Sequence, residues 1–115
     1  MASERRRQRI AEVFKEQIGD ILLREEDWPE GVMVTVTRVA LSDDLEHANA
    51  AVSVLPDEAC KEVFAMLERD VGAIQHLINR RMRMRPVPKI RFMPEKEVVE
   101  AARIEAELYK LSHGE

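Results

Sequence analysis

An α+β fold, a three-stranded sheet with helices packed on one face, is what the 115-residue sequence predicts, and three observations predict it. Apolar residues recur at three- and four-residue steps near the N-terminus and again beyond residue 57. Between these stretches lie two runs rich in β-branched or alternating residues, joined by turn chemistry. A short, proline-bounded run with period two follows the second helical stretch. The order is α-β-β-α-(kink)-α-β followed by a C-terminal helix.

Ser3 is placed to cap the first helix, one face of which carries Ile10, Val13, Phe14, Ile18, Ile21 and Leu22. Trp28-Pro29-Glu30-Gly31 ends it. Val32 to Leu41 and Glu46 to Leu55 read as strands, the second with Ala48, Ala50, Val52 and Val54 on one side. Ser42-Asp43-Asp44-Leu45 between them makes an antiparallel hairpin. Pro56-Asp57 opens a second helix with the apolar stripe Cys60, Val63, Leu67, Val71, Ile74 and Ile78. Gly72 lies inside that stripe, at a cost of about 0.5–1 kcal/mol relative to alanine, and Asp70 is a good cap residue; a break or kink is therefore expected at Asp70-Val71-Gly72. The helix must finish before Pro86. Pro88 to Met93 is a third strand, with Ile90 and Phe92 on one side and Lys89 and Arg91 on the other. Glu95 and Glu97 suit the positive end of a last helix reaching about Leu111. The second sheet face, or a helix edge, is left for a partner.

With 45% hydrophobic and 35% charged residues, the chain is expected to form a single domain, residues 1–115, burying roughly two thirds of its unfolded surface. The lone Cys60 excludes an intrachain disulfide framework and suits a reducing compartment. No apolar h-region precedes the first helix, and no stretch approaches the roughly 20 apolar residues needed to span a bilayer. A cytoplasmic protein, monomeric when free and without membrane contact, is the expectation.

Catalysis finds little footing. His47, His76 and His113 lack metal-ligand spacing, and one cysteine makes no CxxC pair, so neither metal nor cofactor is expected. Cys60 lies on an apolar stripe, the setting of a buried thiol rather than a nucleophile. Asp43 and Asp44 are hairpin residues, and neither a P-loop nor a GxSxG is present. No enzyme and no small-molecule substrate follow.

Charge is the informative feature. The formal net charge is −4, yet residues 80–92, RRMRMRPVPKIRF, hold Arg80, Arg81, Arg83, Arg85, Lys89 and Arg91 and no carboxylate. On a helix, His76, Asn79, Arg80 and Arg83 share an arc of about 100°, opposite Ile74, Leu77 and Ile78. Arg85, Lys89 and Arg91 would continue this ridge through the proline turn and along the strand. Arg81 falls on the apolar arc instead, where it snorkels or marks the helix unwinding. A solvated face usually mixes signs, because like charges at i,i+3 and i,i+4 repel. A ridge without acids implies counter-charge from outside, and phosphate is the natural source, the more so because arginine binds it bidentately. Arg5, Arg6, Arg7 and Arg9 read equally as a second phosphate contact or a solubilising end. The competing reading is a protein-interaction module in which Met82, Met84 and Met93 dock an acidic partner; those methionines read otherwise as core filling. Phe14, Phe64, Phe92, Trp28 and Tyr109 are the aromatic residues, most at core positions, so stacking platforms for single-stranded bases are not evident.

The stretches RRRQRIAEVFKEQIGDILL, VTRVALSDDLEHANAAVSVLP and RRMRMRPVPKIRFMPE together resemble the ribosome-binding factor A family over residues 4 to about 108. The resemblance implies a KH-like (type II) RNA-binding domain and a non-catalytic bacterial assembly factor. It implies binding to the immature 30S subunit through 16S rRNA, support of late 16S rRNA processing, and importance in the cold. KH domains generally clamp backbone with a GXXG loop; the family is similar but carries an Ala-x-Gly kink. Here Gly72 matches that motif and Asp70 departs from it. The sequence ends soon after the last predicted helix without a long polar tail, so no role of such a tail is carried over.

Overall fold

The computed structural model describes residues 3–112; His113 lies outside them. Ser3 caps the first helix, α1 (Glu4–Glu25), its Oγ accepting the Arg6 N–H at 3.1 Å. Phe14, Ile18, Ile21 and Leu22 form its buried face. The chain reverses at Pro29–Val32, where the Val32 N–H donates to the Pro29 carbonyl at 3.1 Å and Gly31 takes φ +79°, a value that favours glycine. Strands β1 (Met33–Leu41) and β2 (His47–Leu55) pair antiparallel. A bulge at Thr37 interrupts their register. It sets the alternation right: Val34 and Val36 face inward before it, Val39 and Leu41 after it, opposite Val54, Val52, Ala50 and Ala48.

A single 3-10 turn, Asp57–Ala59, leads into α2 (Cys60–Arg81). The chain then enters β3 (Lys89–Pro94), which runs parallel to β2 and completes a sheet of order β1-β2-β3. A parallel partner requires a long crossover, and α2 supplies it. Gln75 of α2 fastens the crossover to the strand: its Oε1 accepts the Ile90 N–H at 2.8 Å and its Nε2 donates to the Pro88 carbonyl at 3.1 Å. Phe14, Ile18 and Ile21 of α1 and Val63, Leu67, Ile74 and Ile78 of α2 close over Val36, Val39, Ala48, Ala50, Val52 and Ile90. Ala48 and Ala50 are wholly buried, and side chains this small let two helices approach the middle of the sheet.

Two features correct the sequence reading. No break occurs at Asp70-Val71-Gly72, for α2 is one helix from Cys60 to Arg81. Gly72 is exposed with open space where a Cβ would stand, and the Asp70 carboxylate turns to Arg69 at 2.8 Å instead of capping a new helix. The helices also do not all share a face. α1 and α2 cover the side bearing Ala48, Ala50 and Val52, whereas α3 (Glu95–Ser112) meets the opposite side. Asn49, Ala51 and Met93 line a groove there with Glu97 and Val98 of α3, and Ala51 is buried beneath it. Glu95 hydrogen-bonds the bulge residue Thr37, and Lys96 pairs with Asp57 at 3.2 Å, so the first turn of α3 is tied down. Val99, Ile104, Leu108 and Leu111 farther along are exposed. No helix among the described residues is long and apolar enough to cross a membrane.

Candidate nucleic-acid interface

The last two turns of α2 bury Ile74 and Ile78 and leave His76, Asn79 and Arg80 exposed, as the helical arc requires. Arg83 follows in the exposed turn. Near the other end of the chain, Arg5, Arg6 and Arg9 stand exposed on the first turns of α1.

Among the described residues, the ion pairs involve Arg7, Arg24, Arg69, Arg81, Lys96 and Arg103. None involves Arg5, Arg6, Arg9, Arg80, Arg83, Arg85, Lys89 or Arg91. The predicted surplus of positive charge thus survives folding for eight of the candidate cations. Among the candidates Arg7 is paired, and so is Arg81, which the helical arc had already set apart from the ridge. Arg7 pairs with Glu4 and, across the fold, with Asp43 of the hairpin turn; these hydrogen bonds, Glu4 first, raise its pKa further. Arg81 reaches α1, where its Nη1 donates to Asp20 at 2.8 Å and Gln17 at 3.0 Å. Arg24 first, then Arg81, hold the Asp20 carboxyl below the usual carboxylate range. The odd position of Arg81 on the apolar arc therefore reflects packing against α1, and the helix ends in order at that residue.

The ridge is also divided. Arg85 folds back, its Nη1 donating to the carbonyls of Met82 and Met84 at 2.7 Å each, where α2 has ended and carbonyls lack helical partners. Lys89 and Arg91 alternate with the inward Ile90 and so leave the sheet on the side away from α1 and α2. Arg91 Nε donates to Asn49 Oδ1 at 2.8 Å. His47, Asn49 and Arg38 lie on that same outer side by register. Arg38 was not among the sequence candidates, because its side of the sheet is fixed only by the bulge at Thr37.

In exchange, folding joins two segments remote in sequence. Arg6, Arg9, Ile10 and Val13 of α1, with Arg81 at the end of α2 and Met82 to Met84 after it, line one groove of about 500 Å³. Its rim is basic and its floor apolar. Met82 is buried and Met84 and Met93 are half-buried, so the methionines serve mainly as core and groove floor, not as a protruding ridge. Phe14 is fully buried, and Phe64, Phe92 and Trp28 pack against the core.

At the expected kink, Arg69 holds the Asp70 carboxyl below its ordinary range. Glu26, at the end of α1, is pushed up to about 7, mainly by burial and further by the neighbouring Asp70 carboxylate. Asp70 is thus neutralised by Arg69 beside it.

The sequence profile of the family described as ribosome-binding factor A matches residues 6–108. The ribosome-binding factor A of Halothermothrix orenii is 38% identical over 111 residues, covering 96% of this chain and 91% of that protein. That of Natranaerobius thermophilus is 36% identical over 111 residues, covering 96% and 85%. Among solved structures, the crystal structure of ribosome-binding factor A from Thermus thermophilus aligns with a TM-score of 0.69 at 23% identity, covering 78% of this chain and 96% of that one. A ribosome-binding factor A of Thermotoga maritima, solved by NMR, aligns with a TM-score of 0.67 at 29% identity, covering 81% and 90%. A homology model of the Thermus thermophilus ribosome-binding factor A, fitted into the electron cryo-microscopy map of a 30S complex of that protein, aligns with a TM-score of 0.60 at 26% identity, covering 72% and 88%.

Proposed function

Because the chain belongs to the ribosome-binding factor A family, we propose that it binds the immature 30S subunit through 16S rRNA and assists the late processing of that RNA. Its action is binding without catalysis, in the cytoplasm, with importance in the cold. The observation that carries this reading is the set of arginines without internal counter-charge, Arg6 and Arg9 on α1 and Arg80 and Arg83 at the end of α2. Burying or pairing these groups inside the fold would cost nothing in function if they were merely solvating. Leaving them unpaired while Arg7 and Arg81 are paired keeps them open to phosphate, which releases condensed counterions on binding. The fitted 30S complex of the Thermus relative supports the choice of partner.

His76, Asn79 and Arg5 flank this surface, and Lys89 and Arg91, with Arg85 at the turn, are proposed as secondary phosphate contacts. Arg7 is assigned to fastening the hairpin, through Asp43. The kink residues Asp70, Val71 and Gly72 are assigned no RNA contact, since Arg69 already satisfies the Asp70 carboxylate. Crosslinking the protein to purified small subunits, with the attached peptides and nucleotides mapped, tests the reading. Crosslinks from peptides holding Arg80 and Arg83 to 16S rRNA are expected; their absence from every crosslinked peptide would overturn it.

A further inference from the structure

We propose that the groove between the first turns of α1 and the segment after α2 takes an unpaired stretch of RNA, phosphates on its arginine rim and a base against its apolar floor. The inference rests on the RNA-binding reading above and specifies the form of RNA. A groove serving phosphate alone has no use for an apolar floor. Here Val13 is 41% exposed, and with Ile10 and Met84 it forms a patch set between Arg6, Arg9 and Arg83.

A base inside a duplex presents no face to such a patch, whereas an unpaired base can lay its ring on aliphatic and thioether groups while its phosphates meet guanidinium groups. The two walls are also fixed relative to each other. Arg81, at the foot of the groove, is bonded to both Gln17 and Asp20 of α1. That bond holds the spacing without using the rim arginines, so the site is formed before RNA arrives. The rim being wholly cationic favours a polyanion over an uncharged apolar peptide.

The test is fluorescence anisotropy with the full chain and a short labelled RNA without self-complementarity, used alone and annealed to its complement. Arginines acting only as charges would favour the duplex, whose charge density is higher. Tighter binding of the unpaired form is expected instead. Val13→Ser should weaken the unpaired complex by about threefold and leave the duplex complex unchanged. Met84→Ser, made separately and checked by melting, guards against a folding artefact at either position. Arg83→Ala should weaken both complexes. Equal or tighter binding of the duplex, or no effect of either serine variant on the unpaired form, would overturn the groove assignment and leave the RNA-binding reading standing. Failure to bind either RNA at low salt would overturn both, and capture of an acidic amphipathic peptide by the same groove would then assign it to a protein.

Discussion

Arg81 Nη1 stands 2.8 Å from the Asp20 carboxylate, 61 positions away in sequence, and this contact separates two kinds of arginine at the end of α2. Arg81 belongs to the packing of α2 on α1. Arg80 and Arg83, on either side of it, have no carboxylate partner among the described residues. Neighbours in a run of identical charge therefore differ in consequence when removed.

Arg80→Ala with Arg83→Ala should weaken association with small subunits and reduce the salt dependence of RNA binding. The log–log slope should fall in magnitude by about 0.7–0.9 for each phosphate that the variant leaves unneutralised. The melting temperature should not change. Arg81→Ala should do the reverse, lowering the melting temperature while the salt slope stays near that of the wild type. Co-sedimentation and thermal melts on the same preparations check both; an unchanged co-sedimentation of the double variant would count against the ridge.

Gly72→Ala should raise stability by about 0.5–1 kcal/mol, because α2 is continuous, the position is exposed and nothing lies within 4 Å of the added Cβ. Urea denaturation measures it. A loss of stability would show that the backbone at Gly72 does need glycine, and that the uninterrupted helix is wrong there.

Gln75→Ala should cost about 1–3 kcal/mol, since it leaves the half-buried Ile90 N–H and Pro88 carbonyl without the side chain that now serves both. The loss should appear as early hydrogen exchange at Ile90, with β1 and β2 protected. Retained protection there would mean that β3 is held by its pairing to β2 alone.

Stability should fall as pH rises from about 4.5, the ordinary value for glutamate, to about 7, the value for Glu26 in the fold. Over that window the folded chain holds a proton that the unfolded chain has released, so deprotonation is a penalty on the folded state, complete above the window and absent below it. Partial exposure to solvent limits the effect to about 1 kcal/mol. Asp70, held low by Arg69, acts in the opposite sense and only in more acidic solution. Glu26→Gln should flatten the dependence of melting temperature on pH; an unaltered profile would assign it to other groups.

Local chemistry was legible where one residue decides one element. Ser3 caps α1, Ser42 to Leu45 turn the hairpin, and Ile90 faces inward between Lys89 and Arg91, because caps, turns and period-two alternation act within a few positions. The positive face of α2 was legible for the same reason. Two things were not. The partner of Arg81 depends on how α1 crosses α2, and the face taken by α3 depends on tertiary contacts, Thr37 with Glu95 and Lys96 with Asp57, that join residues remote in sequence. The interruption expected at Gly72 failed because helix propensity is a weak local term, and burial of Leu67, Ile74 and Ile78 along one continuous stripe outweighs it.

β3 lies parallel to β2, so it joins the sheet only by way of the crossover that α2 makes. A nascent chain can close the β1–β2 hairpin early, but Arg83 does not yet stand opposite Arg6 and Arg9. Incomplete chains thus carry the basic N-terminus without the surface it helps to build. The groove is therefore complete only in a molecule whose sheet has closed, since its two walls come from opposite ends of the chain's folding order.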